Sequence, residues 1–159
     1  MEDALVVDEM VDEQKNKFIT FRLGEQAYAF EIRFVGEIIG IQKITPIPDV
    51  PDYVKGVFNL RGRVIPAVDV RVRLRLSERP YDDRTCIIVT RVRNQMVGLI
   101  VDTVDEVMQI LPEEIEPPPS LKKGQKTQYM QGLAKKSQEV IILLNVEMFL
   151  FGAQEKQNN

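Results

Sequence analysis

Catalysis in proteins usually depends on histidine, cysteine or clustered carboxylates, and this 159-residue chain has few of them. It contains no histidine and one cysteine. The commonest general base and metal ligand is therefore missing, and the usual zinc sites would need more thiols. Glu37 and Glu106 occupy matching Val-x-Glu positions, but neither has a histidine, a cysteine or a metal-binding cluster nearby in the sequence. The sequence predicts no enzymatic activity and no cofactor.

Arg61 is the charged residue whose surroundings are most suggestive of recognition. It lies in the segment Asn59-Leu60-Arg61-Gly62-Arg63, where the glycine favours a tight turn. An arginine can fork two hydrogen bonds to a carboxylate, and we pair it with Glu37 in a salt bridge. Two interpretations stay open: a hairpin turn with a solvated arginine, or a corner that recognises a partner.

Arginines also alternate with apolar residues from Val70 to Leu76. As a β-strand, this segment would display Arg71, Arg73 and Arg75 on one face. A solvated face is the preferred interpretation, and contact with an acidic protein surface is the next. The alternative function is a small-barrel nucleic-acid-binding protein that uses this stripe, although no aromatic residue is interleaved for base stacking.

Composition favours an ordinary globular protein. The hydrophobic fraction is 44% and the net charge is -3, which indicate neither wholesale disorder nor a general nucleic-acid or membrane binder. Cys86 has no partner for an intramolecular disulfide, so nothing points to an oxidising compartment. No stretch of about 18 apolar residues predicts a membrane-spanning helix. Residues 1–16 are expected to form a flexible acidic arm, and residues 151–159 a tail.

An internal repeat indicates how these residues are positioned. Residues 25–41 align with residues 94–110, and residues 53–74 align with residues 129–150, without gaps inside either segment. Both copies have short apolar and β-branched segments separated by turns, which is typical of hairpins. We expect an all-β domain over 17–150, made of two duplicated subdomains, about 17–76 and 84–150, and leave open whether the two exchange strands. Each copy is too short to bury much of a core alone.

Several motifs occur in one order that resembles the CheW family of chemotaxis coupling proteins. They are Val35-Gly-Glu37-Ile38, Pro46-Ile-Pro48, Lys55-Gly-Val-Phe-Asn-Leu-Arg-Gly62, Ile65-Pro-Ala-Val-Asp69 and Gly98-Leu-Ile-Val-Asp-Thr-Val104. The resemblance covers roughly residues 17–150. It implies two intertwined five-stranded SH3-like β-barrels with short helical turns, in agreement with the duplication.

The resemblance also implies a function. Members of this family are non-enzymatic, cytoplasmic adaptors at receptor arrays on the inner face of the membrane. They bind the cytoplasmic tip of chemoreceptors and the regulatory domain of the histidine kinase CheA, without nucleic acid and without inserting into the membrane. By matched motif, the receptor-binding positions would be Val35, Glu37, Gly56, Arg61, Val104 and Val107. The family's salt bridge would be Glu37–Arg61.

Overall fold

A computed structural model describes residues 14–119 and 128–152 of the chain. Most of the expected acidic arm and tail, residues 1–13 and 153–159, therefore lies outside the described residues. Residues 120–127, which follow three consecutive prolines, lie outside them as well.

Strands dominate the described residues, and the helical segments are short. The strands are β1 (Lys17–Leu23), β2 (Gln26–Glu31), β3 (Val35–Gly40), β4 (Val54–Leu60), β5 (Arg63–Asp69), β6 (Cys86–Val92), β7 (Gln95–Val101), β8 (Thr103–Gln109), β9 (Ile115–Glu116), β10 (Met130–Lys136) and β11 (Glu139–Leu144). The helical segments are α1 (Val70–Arg73), 3-10 turns at Ile32–Phe34 and Pro112–Glu114, and a π-helical turn at Met148–Gly152.

The strands form two sheets of equivalent design. One has the order β8-β1-β2-β11-β10-β9 and the other β3-β6-β7-β5-β4. Apart from the two-residue strand β9, each contains five strands of six or seven residues. The prediction of an all-β fold with two SH3-like, five-stranded parts is confirmed.

The two sequence repeats contribute to both sheets. Hairpin β1–β2 lies beside β8 and β11, whereas its copy β6–β7 lies beside β3 and β5. Each sheet therefore combines the first hairpin of one repeat with the remaining strands of the other repeat. The described residues correspondingly divide into two compact units that are not continuous segments: residues 14–20, 28–33, 106–119 and 128–152, and residues 21–27 and 34–105.

The first unit has an aromatic centre. Phe149 is completely buried, and its ring lies 6.0 Å from the ring of Phe30 and 5.6 Å from that of Tyr129, both in edge-on geometry. Edge-to-face contacts of this kind stabilise aromatic cores beyond simple burial.

The second unit buries mostly aliphatic side chains from the hairpins β4–β5 and β6–β7. Phe58, Ile65, Ile87 and Ile100 belong to one apolar cluster, with Ile39 and Met96 among the side chains at its margin. Strand β6 is buried at four successive positions, as expected of a strand covered on both faces. Edge strand β3 instead alternates between half-buried and exposed residues, which leaves one of its faces accessible.

The segment after β5 is a helix, so the prediction of a strand over Val70–Leu76 is wrong. Asp69 caps helix α1, because its carboxylate accepts a 3.3 Å hydrogen bond from the backbone of Val72. Val70 and Arg73 are the buried residues of this turn, a spacing that fits a helix and not a strand. An aspartate cap therefore outweighs the alternating pattern.

Candidate functional site

Glu37 and Arg61 form a bidentate ion pair. Arg61 donates from Nη1 and Nη2 to the two carboxylate oxygens of Glu37, at 3.2 and 2.5 Å. The Arg61 side chain is 69% exposed and that of Glu37 is 34% exposed. The hydrogen bonds and positive charge of Arg61 hold the pKa of Glu37 below its ordinary value, and Glu37 in turn raises the pKa of Arg61. Both groups are therefore charged throughout the neutral range.

This ion pair joins the two ends of one sheet. Glu37 lies on β3 and Arg61 follows β4, which are the outermost strands in the order β3-β6-β7-β5-β4. The sheet must be rolled for the two side chains to meet. Thr45, which follows β3, supports the closure with backbone hydrogen bonds of 2.8 and 2.9 Å to Val57 on β4.

A two-residue hairpin turn presents Arg61. Leu60 pairs with Arg63 across the turn, and Arg61 and Gly62 have φ angles of 51° and 88°. The Asn59 side chain accepts a 2.7 Å hydrogen bond from the backbone of Gly62. Positive φ at both central positions matches the right-handed twist of the flanking strands. The arginine is thus fixed at its backbone by the turn and at its tip by Glu37.

The corresponding turn of the second repeat has the same backbone. Lys136 pairs with Glu139, and Ser137 and Gln138 have φ angles of 49° and 66°. Gly62 therefore does not make the first turn tighter than the second. The two corners differ in their side chains, since the position of Arg61 is taken by Ser137.

Gly56 is buried under the segment that closes the sheet. A Cβ atom at this position would lie 2.1 Å from the Thr45 carbonyl oxygen, and the φ of Gly56 is +144°. The register of β4 and β5 shifts between Val54 and Gly56, which marks a β-bulge. Gly56 can therefore influence a partner only through the residues around it.

The three valines predicted as receptor contacts differ in exposure. Val35 begins β3 and is half-buried, as is Val104 on β8. Val107, further along β8, is 50% exposed. Val107 is the only one of the three that offers a largely exposed apolar side chain.

Arg71, Arg73 and Arg75 do not share one exposed face in the structure. Arg73 is 5% exposed, and its guanidinium lies 4.1 Å from the ring centroid of Tyr53. Arg71 is directed to Asp102, and its side chain is 13% exposed. Arg75 is exposed in the turn that follows. The prediction of a solvated basic face is wrong because the helix sends these side chains in different directions, and the nucleic-acid alternative loses its basis.

Asp102 is a polar centre that the sequence analysis did not single out. Its carboxylate accepts two hydrogen bonds from Arg71 (2.8 and 2.7 Å), one from Arg79 (2.8 Å) and one from the Gly24 backbone (2.7 Å). Burial raises the pKa of Asp102, but the hydrogen bonds from Arg71 and Gly24 and the nearby positive charges outweigh burial, and the pKa is lowered. An aspartate directly after the apolar run of β7 was the available signal. Asp102 ties α1 and the connection between the repeats to the start of β8.

The described residues include no group of three or more side chains suited to holding a metal ion. No helix among them is long and apolar enough to span a membrane.

Comparison with known proteins gives one consistent answer. The family model described as CheW-like domain matches residues 17–153. The chemotaxis protein CheW of Klebsiella aerogenes is 36% identical over 134 residues, which is 84% of this chain and 81% of that protein. CheW of Treponema pallidum is 30% identical over 151 residues, which is 92% of this chain and 88% of that protein. The crystal structure of the scaffolding protein TtCheW from Thermoanaerobacter tengcongensis is similar, with a TM-score of 0.78 and 34% identity over 86% of this chain and 92% of that one. The chain therefore belongs to the CheW-like family.

Proposed function

We propose that this protein is a non-enzymatic chemotaxis adaptor that couples the cytoplasmic tip of chemoreceptors to the regulatory domain of the histidine kinase CheA. Its place would be in the cytoplasm, at the inner face of the membrane. Family membership supports the role in chemotaxis, because the relatives are named chemotaxis proteins and the similar solved structure is named a scaffolding protein.

The single observation that carries the proposal is the geometry of Arg61. A long side chain normally loses rotamer freedom when a partner immobilises it, and that loss weakens binding. Glu37 holds Arg61 in one orientation before any partner arrives, yet 69% of the arginine side chain remains exposed. A fixed and exposed guanidinium on a hairpin corner is suited to protein recognition and contributes little to stability.

The apolar part of the proposed site is supplied by valines. Receptor tips are helical, and an amphipathic helix binds by its apolar face against apolar side chains of its partner. The exposed Val107 is suited to that contact. Val35 and Val104, which the family resemblance also implies as receptor-binding positions, are half-buried. Gly56 contributes by allowing the chain to close behind β4.

The proposal is tested by Arg61→Ala. Binding to a receptor-tip fragment and to the kinase regulatory domain is measured separately for wild type and variant, together with thermal melts. We expect receptor binding to weaken about tenfold, because truncating an oriented interface arginine leaves its partner groups unpaired. The melting temperature should change by less than about 2 °C, because exposed ion pairs add little to stability.

Arg63→Ala is the matched control. Arg63 is an exposed arginine two positions away, and the structure gives it no ion pair with a described residue. It should bind both partners like wild type. Unchanged receptor binding by Arg61→Ala would refute the proposed role of the corner. A wild-type protein that binds neither partner would refute the adaptor function itself.

A further inference from the structure

The second repeat keeps the glutamate of the Glu37–Arg61 pair and lacks its arginine. Glu106 aligns with Glu37, and Ser137 aligns with Arg61. The two hairpins have the same loop length, and each has a register shift at its matching glycine, Gly56 or Gly132. The structure of the first repeat therefore shows what the second would contain if position 137 carried an arginine.

Glu106 is held in place by its backbone only. Its carbonyl accepts a 2.9 Å hydrogen bond from the Thr20 hydroxyl, and its backbone N–H donates to the same hydroxyl at 3.2 Å. The residue is exposed, and within residues 14–119 and 128–152 the structure gives its carboxylate no hydrogen bond or ion pair. The neighbouring Val107 is 50% exposed. An unpaired carboxylate on a fixed backbone thus lies beside an exposed apolar side chain.

We propose that Glu106 is the acceptor for an arginine that the receptor tip supplies, in the role that Arg61 fills for Glu37. This inference rests on the proposed adaptor function and adds a chemical requirement to it. Arginine is chosen over lysine because the pair in the first repeat is bidentate, a geometry that a guanidinium makes and an ammonium does not. The receptor is chosen over the kinase because Glu106 is next to Val107, which belongs to the proposed receptor contact.

The first test removes the acceptor charge. Glu106→Gln keeps the size of the side chain and should weaken binding of a receptor-tip fragment about tenfold, with kinase-domain binding unchanged. Glu113→Gln is the control, since Glu113 is also an exposed glutamate and its variant carries the same change in net charge. That control should bind both partners like wild type.

The second test supplies the missing arginine from within the chain. In the first repeat, Arg61 occupies the matching turn position with a φ of 51°. Ser137 has a φ of 49° in the second repeat, so Ser137→Arg should fold. The new guanidinium should form an ion pair with the Glu106 carboxylate and so prevent the partner's arginine from binding there. Receptor binding should therefore fall about as far as in Glu106→Gln, and the double variant should show no further loss. Ser137→Lys adds the same charge without the fork and should have a smaller effect.

The outcomes separate the proposals. A crystal structure of Ser137→Arg is expected to show the new guanidinium within about 4 Å of the Glu106 carboxylate. If wild type binds the receptor tip and both Glu106→Gln and Ser137→Arg bind it equally well, the inference is wrong and the adaptor function stands. Loss of kinase-domain binding alone would also overturn it. A wild type that does not bind the tip would overturn both.

Discussion

Gly56→Ala is the substitution whose effect can be worked out most directly from the geometry. The new Cβ would lie 2.1 Å from the carbonyl oxygen and 2.6 Å from the carbonyl carbon of Thr45, and 2.9 Å from the Cα of Pro46. All three are backbone atoms, so no side-chain rotation relieves the overlap. The φ of +144° is also one that side chains rarely adopt. The segment at Thr45 must move away from β4, and the sheet must open there.

The cost has two parts. Forcing a non-glycine residue into a conformation of this kind costs about 1–3 kcal/mol. Displacing Thr45 breaks its two backbone hydrogen bonds to Val57, at about 1 kcal/mol each. The sum is about 3–5 kcal/mol, a large fraction of the roughly 5–15 kcal/mol that stabilises a typical domain. At about 2–4 °C per kcal/mol for a chain of this size, the melting temperature should fall by roughly 6–20 °C.

Differential scanning calorimetry of Gly56→Ala and Gly40→Ala measures this directly. Gly40 lies on β3, and a Cβ there would meet nothing within 4 Å, so its variant should melt within about 2 °C of wild type. Because Gly56 is buried, any loss of receptor binding in its variant should come from unfolding or from the displaced segment around Thr45. A Gly56→Ala protein that melts like wild type would show that the close approach of Thr45 is not what requires glycine.

Three further predictions concern acid, packing and connectivity. The pKa of Asp102 is lowered in the folded protein. Ionised Asp102 therefore stabilises the fold fully above its pKa in the unfolded chain, about 4, and this stabilisation is lost as the pH falls through its pKa in the folded protein. Melting temperatures should drop below about pH 4, and less steeply in Asp102→Asn. Arg73→Ala should destabilise by about 2–3 kcal/mol in urea titration through lost packing on Tyr53, whereas Arg75→Ala should change stability by less than about 0.5 kcal/mol. Fragments split after Glu78 should each lack a cooperative melt and regain one on mixing, since each sheet draws strands from both fragments; fragments that melt cooperatively alone would contradict this.

Sequence reasoning succeeded where one local pattern had one structural meaning. Short apolar and β-branched segments separated by turns predict hairpins, and β1–β2 and β6–β7 are such hairpins. The exchange of β1–β2 and β6–β7 between the sheets could not be derived in this way. The two hairpins are copies, so either one presents similar edges and apolar faces to the same partner strands. The choice depends on the three-dimensional course of the connections.

The strand interpretation of Val70–Leu76 failed because it considered the alternation of apolar residues and arginines but not the helix cap at Asp69. Asp69 and its counterpart Asn145 each accept a hydrogen bond from the backbone three residues later, at Val72 and Met148. The same alignment places Arg73 on Phe149, which is completely buried. Comparing the two copies at this point would have predicted a capped helix with an inward-directed arginine.

The duplication also separates the scaffold from the recognition surface. Where a residue is needed for closure of a sheet, both copies retain it: Gly56 and Gly132 each leave no room for a Cβ against the backbone beside them. Where an inward position differs, Arg73 in one copy and Phe149 in the other, each side chain is buried against the tyrosine of its own copy, Tyr53 or Tyr129. The hairpin tip is different, because Arg61 and Ser137 lie at matching exposed positions and the backbone conformation is the same with either side chain. The fold therefore requires neither side chain at this turn, and partner binding should be measured at the corner that carries Arg61 and at the Glu106 carboxylate, which has no matching arginine at position 137.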